Sequence, residues 1–186
     1  MTVTLNEAIV AIHLALEGAG LDHAFGGALA LAWCTEEPRA TFDIDINVFA
    51  APADARRVLA ALPAGISHDT TSRSRLERDG QERLWWGRIA VDLFLSNTTF
   101  HVLVAEQVEH HPFAGSQLPF LGCRSLATFK AFFDRDKDWL DLEAMFATGK
   151  VDPLKLRSNL VDLLGAGDPR VDKLDRRIKR LRPDAD

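Results

Sequence analysis

The chain has 186 residues, 47% apolar and 26% charged, the balance of an ordinary globular protein; disorder, collagen-like repeats and coiled coils are excluded. No apolar run reaches the ~18–20 residues of a membrane span, and MTVTLNEAIV lacks the basic start and apolar stretch of a signal peptide, so a soluble, cytoplasmic protein is expected. A net charge of −5, from 22 basic and 27 acidic residues, argues against a general nucleic-acid coat, because phosphate binding needs a positive field.

Residues 5–17 repeat apolar positions at helical spacing and end at Gly18 and Gly20. A short strand, His23–Phe25, leads into Gly26-Gly27, and ALALAW reads as a helix. Ala40–Phe49 alternates, with Phe42, Ile44, Ile46 and Val48 on one face and Thr41, Asp43, Asp45 and Asn47 on the other, as in a half-buried strand. Pro52 opens a helix through Leu62, a strand follows near Ile66, and Asp69–Glu82 is a polar stretch holding Arg73, Arg75 and Arg78. Leu84–Trp86 and Ile89–Leu95 form a hairpin turning at Gly87-Arg88. Thr99–Glu109 is read as a helix, His110-His111 as a loop and Leu118–Leu121 as a last strand. Helices are expected over 124–133, 137–147, 153–164 and 170–181. Strands with helices, then helices alone, predict an α+β fold with a lobe over 1–120 and a helical lobe over 121–186. Cys34 and Cys123 are expected to make neither a disulfide framework nor a zinc set.

The chemistry concentrates on Thr41, Asp43, Asp45 and Asn47. Side chains at i and i+2 of a strand point the same way, about 6–7 Å apart. Two carboxylates aimed at one point repel unless positive charge lies between them, and Mg²⁺ suits them as a hard ion held by one or two carboxylates, phosphate oxygens and water. The alternative is the solvated face of an amphipathic strand. Gly26-Gly27, between a strand and a helix, lets a backbone approach a phosphate, or simply makes a tight turn. Asp92 is an acid in an otherwise apolar strand. Lys130 and Asp138 share a broad face if their helix is continuous, about 80° apart around its axis; a break near Asp134–Asp136 is the alternative. Seven basic residues between Arg170 and Arg182 stand against two acids, a local nucleic-acid footprint or a solvated face.

Taken together, these parts resemble the DNA polymerase beta-like nucleotidyltransferase superfamily, and more narrowly its AbiEii/MenT-like toxins. The matching pattern is GGALALAWCTEEPRATFDIDINVF, then VDLFL, then Lys130, Asp138 and Asp141. The resemblance implies a mixed sheet flanked by helices, followed by a C-terminal helical lobe that completes the active site. Asp43, Asp45 and Asp92 would hold Mg²⁺, with Asp92 assisting deprotonation of the acceptor. Gly26 and Gly27 would cradle the triphosphate of an NTP, and Arg39 and Lys130, assisted by Arg135, would neutralise it. Asp138 would be the second essential acid, orienting Lys130 or the acceptor. Ala28 departs from the pattern, since many members carry a phosphate-binding Ser there. The implied function is that of a toxin of a toxin–antitoxin system, adding nucleotides to an RNA, namely the tRNA 3′ end. Its candidate RNA contacts are the C-terminal basic helix and Arg73, Arg75 and Arg78. A cognate antitoxin would silence it by modifying Thr41, where a phosphate adds about −1.5 to −2 charge beside the acids. A small-molecule or protein hydroxyl as acceptor, or a non-catalytic binding module of the same fold, are the alternatives.

Overall fold

The computed structural model describes residues 3–181. Two compact units emerge. The first runs to Ala30 and resumes over Pro38–Gly122; the second takes Leu31–Glu37 and the described chain from Cys123 onward.

The first unit opens with α1 (Leu5–Gly18), capped by Thr4 and Glu7, each side chain bonding the other residue's backbone N–H. Its strands are β1 (His23–Phe25), β2 (Asp43–Val48), β3 (Ile66–Ser67), β4 (Gln81–Trp86), β5 (Ile89–Leu95), β6 (Val108–Phe113) and β7 (Ser116–Leu121). They form one mixed sheet in the order β3-β4-β5-β2-β1-β7-β6. β2 runs parallel to β5, and β1 parallel to β7; the other pairs are antiparallel. Alternation within β2 and β5 sends Ile44, Ile46, Val91, Leu93 and Leu95 into the core, alongside Ile9, Ile12 and Leu16 of α1. The helices are α2 (Gly27–Thr35), which crosses into the second unit, α3 (Ala55–Ala61), α4 (Thr70–Asp79) and α5 (Phe100–Glu106).

Three expectations in this unit are corrected. The polar stretch 69–82 is mostly the helix α4. Asp69 accepts from the backbone N–H of Ser72 at its start, and Gly80 closes it with φ +69°. His110-His111 lies in β6, an edge strand, where a proline such as Pro112 is tolerated. Phe42 is 86% exposed because β2 begins at Asp43, so the pleat that buries Ile44 does not extend to it.

The second unit holds α6 (Cys123–Phe133), α7 (Asp136–Ala147), α8 (Pro153–Leu164) and α9 (Pro169–Leu181). Trp139, Leu142, Met145, Leu156, Leu160, Val171 and Leu174 make its core. Trp139 donates its indole N–H to Asp134 at 2.6 Å, and Lys173 and Arg177 lie over its ring at 4.9 and 4.5 Å. Cys34 and Cys123, which the sequence left unpaired, form a disulfide with Cα atoms 5.4 Å apart. Their separation of 89 residues is closed by tertiary folding, which leaves no spacing signature. Among the described residues, no helix is long and apolar enough to cross a membrane.

Candidate active site

β2 and β5 lie side by side with Asp45 paired in register to Asp92 and Asp43 to Ala90. Strands in register present paired residues on one face, with neighbouring strands about 4.8 Å apart. Asp43, Asp45 and Asp92 therefore share a face, opposite the apolar one. Gly26 bonds its backbone N–H to the Asp45 carbonyl at 2.9 Å, and Gly27 follows with φ +51°. A Cβ at Gly27 would overlap the Asp45 carboxylate, so glycine is required there both by backbone conformation and by the acid beside it. Thr41 donates its hydroxyl to Asp43 Oδ1 at 2.6 Å. Arg39 stands in the exposed segment just before these residues.

One residue on this face escaped the sequence reading. Arg83 on β4 pairs in register with Asp92 and grips it with two bonds, Nε–Oδ1 at 2.7 Å and Nη2–Oδ2 at 2.6 Å. The Asp92 carboxylate raises the Arg83 pKa still further above its already high value, and Asp43 and Asp45 contribute in the same direction. The signal was present: counting back from the Gly87-Arg88 turn pairs 86 with 89, 85 with 90, 84 with 91 and 83 with 92. The same count places Trp85, 48% exposed, on this face, while Trp86 covers Gly65 on the other.

The donor set on this face is anionic oxygen, the chemistry of a hard dication. Among the described residues, no group of three or more His, Cys, Asp or Glu side chains forms a metal cage. Asp43 and Asp45 still fit Mg²⁺, which takes one or two carboxylates and completes its shell with phosphate oxygens and water.

The other predicted residues cluster in the second unit. The chain breaks between α6 and α7, with Asp134 at φ +58°, so Lys130 and Asp138 lie on different helices. Lys130 is 7% exposed, with Nζ 2.7 Å from Asp141 and 3.5 Å from Asp138. Arg135 stands at the N-cap position of α7 and binds Asp138 through Nε at 2.6 Å and Nη2 at 3.2 Å. Two cations thus meet two carboxylates, and Asp138, fully buried, is held by both.

The residues expected to contact RNA are largely committed elsewhere. Arg73 pairs with Glu77, Arg75 with Glu82 and Arg78 with Asp79 on or beside α4. On α9, Arg170 pairs with Asp168, Lys173 with Asp134 and Arg177 with Glu143. Arg182 lies outside the described residues.

No protein-family model matches the chain, and no protein of curated function matches it in sequence. Among solved structures, it is similar to the crystal structure of ANT(2'')-Ia in complex with adenylyl-2''-tobramycin. The TM-score is 0.57 at 10% identity, over 91% of this chain and 96% of that one. It is also similar to the solution structure of the antibiotic-resistance factor ANT(2'')-Ia, with a TM-score of 0.50 at 13% identity, over 98% and 95%. The chain shares the fold of ANT(2'')-Ia, and the expected mixed sheet flanked by helices is present.

Proposed function

We propose that the chain is an NTP-dependent nucleotidyltransferase that moves a nucleotidyl group to an acceptor hydroxyl with release of pyrophosphate. The observation that carries this reading is the shared face of Asp43, Asp45 and Asp92 on two parallel strands, with Gly27 seated against Asp45. Asp43 and Asp45, joined by Asp92, would hold Mg²⁺, which would supply Lewis-acid stabilisation of charge on the transferring phosphoryl group. Asp92 accepts the proton of the acceptor hydroxyl. The backbone of Gly26 and Gly27 and the charge of Arg39 serve the triphosphate. Within the second unit, Asp138 is held between Lys130 and Arg135 and positions those two cations.

For the acceptor, the AbiEii/MenT-like pattern supports an RNA 3′ hydroxyl, that of tRNA, and with it a toxin held in check by an antitoxin. A specific observation favours a second reading, a small-molecule or protein hydroxyl. Six basic residues expected on RNA are ion-paired within the protein, which reduces the positive field available to a polyanion. Transfer assays with labelled NTP, offered total tRNA or a low-molecular-weight acceptor pool, separate the two. An RNA acceptor predicts labelled RNA whose yield falls steeply as salt rises. Label confined to small molecules or protein, with little salt dependence, supports the second reading.

A further inference from the structure

On the acid face, Asp92 has a guanidinium fitted to it. The fit is built into the sheet: Arg83 and Asp92 are direct cross-strand partners in the β4–β5 hairpin, so their separation is fixed by register. Both Asp92 oxygens are used, Oδ1 by Nε and Oδ2 by Nη2, and a planar fork of this kind orients a carboxylate as a lysine ammonium does not. The carboxylate is nearly covered, its side chain 16% exposed, whereas the Arg83 side chain is 54% exposed. A pair with so exposed a partner is weak enough to exchange. Three carboxylates on one face repel, and Arg83 offsets part of that charge, since Asp92, Asp43 and Asp45 all act on it.

We propose that Arg83 is a positioning residue that competes with the divalent cation for Asp92. It holds the carboxylate in place while the acid face lacks a cation, and releases it when the cation and its nucleotide bring their own charge. The inference rests on the nucleotidyltransferase reading above. Its consequence is that Arg83 sets how much divalent cation the protein needs, weakening binding in return for a prearranged Asp92.

The test is Mn²⁺ binding to the full chain, followed by electron paramagnetic resonance, for wild type, Arg83→Gln, Asp92→Asn and the double variant, with folding checked by circular dichroism. Arg83→Gln is expected to bind Mn²⁺ about fivefold more tightly than wild type, the upper range for losing an exposed ion pair. In the Asp92→Asn background the same substitution should gain markedly less. Arg83→Lys, which keeps the charge but not the fork, should fall between wild type and Arg83→Gln, and it carries the test if Arg83→Gln does not fold. Equal or weaker Mn²⁺ binding by these variants overturns the proposal and leaves the metal reading intact, provided that wild type binds and Asp43→Asn does not. A gain of the same size with and without Asp92 also overturns it, since the effect is then one of general charge. Folded protein that binds no Mn²⁺ in any variant overturns both this proposal and the metal reading.

Discussion

At Gly27, the backbone and a catalytic candidate make the same demand. The αL conformation excludes most side chains, and the Asp45 carboxylate occupies the space a Cβ would fill. Gly27→Ala is expected to cost about 1–3 kcal/mol in urea denaturation for the strained φ. Transfer activity should fall further than stability predicts, because Asp45 must turn away; an active Gly27→Ala protein would contradict this assignment. Thr41 gives a second prediction. Its hydroxyl donates to Asp43 Oδ1 at 2.6 Å, so a phosphate there replaces a donor with a group of about −1.5 to −2 charge. Protein shown by mass spectrometry to be fully phosphorylated on Thr41 should be inactive, while Thr41→Ala should keep measurable transfer. Full activity of the phosphorylated form would remove the regulatory role. Both positions were legible as motif residues; what the sequence did not disclose is that Gly27 and Asp45 occupy adjoining space.

The elements divide by how they are stabilised. β2 and the β4–β5 hairpin were legible because alternation and a two-residue turn determine which faces are buried and which residues pair. The same register sets Arg83 opposite Asp92. α4 was missed because TTSRSRLERD carries almost no apolar periodicity; it buries little beyond Leu76 and is secured by its Asp69 cap and by ion pairs. β6 was missed because an edge strand can be polar and can contain proline. The α6–α7 break was one of two readings, and Asp134 resolves it by leaving helical conformation and bonding Trp139 and Lys173. Across that break, Lys130 neutralises two buried carboxylates. Lys130→Met should therefore destabilise the protein by about 3–5 kcal/mol, the cost of an unpaired buried charge. Adding Asp141→Asn should restore part of that loss. A Lys130→Met protein of wild-type urea midpoint but without activity would show instead that the lysine serves chemistry alone.

For the whole molecule, the buried histidines give stability a pH dependence. His23 donates its Nδ1 proton to the Leu21 carbonyl at 2.8 Å, which leaves Nε2 to accept from His13 at 3.0 Å. Burial holds His23 below its ordinary 6.5, opposed by the Leu21 bond and reinforced by His13, and burial likewise lowers His101. The unfolded chain then binds protons that the folded chain refuses. This contribution is complete above pH 6.5 and is lost as pH falls from there toward the lowered folded values. Urea midpoints should drop between pH 7.5 and 5.5, and His23→Gln should flatten the drop; an unchanged slope would contradict it. At this scale the fold class was legible from the order of strands and helices, while the disulfide was not, since only the folded chain brings Cys34 to Cys123.

Nucleotidyl transfer by the acid face is open to direct measurement. Its most direct test is incubation of wild type and Asp43→Ala with each α-³²P-labelled NTP, Mg²⁺, tRNA and a small-molecule pool, following both label transfer and pyrophosphate release. Wild type should transfer label, and folded Asp43→Ala should fall by about 10²–10³, the size expected when a group stabilising transition-state charge is lost. Transfer undiminished in Asp43→Ala, or no turnover of any nucleotide by folded wild type, would contradict it.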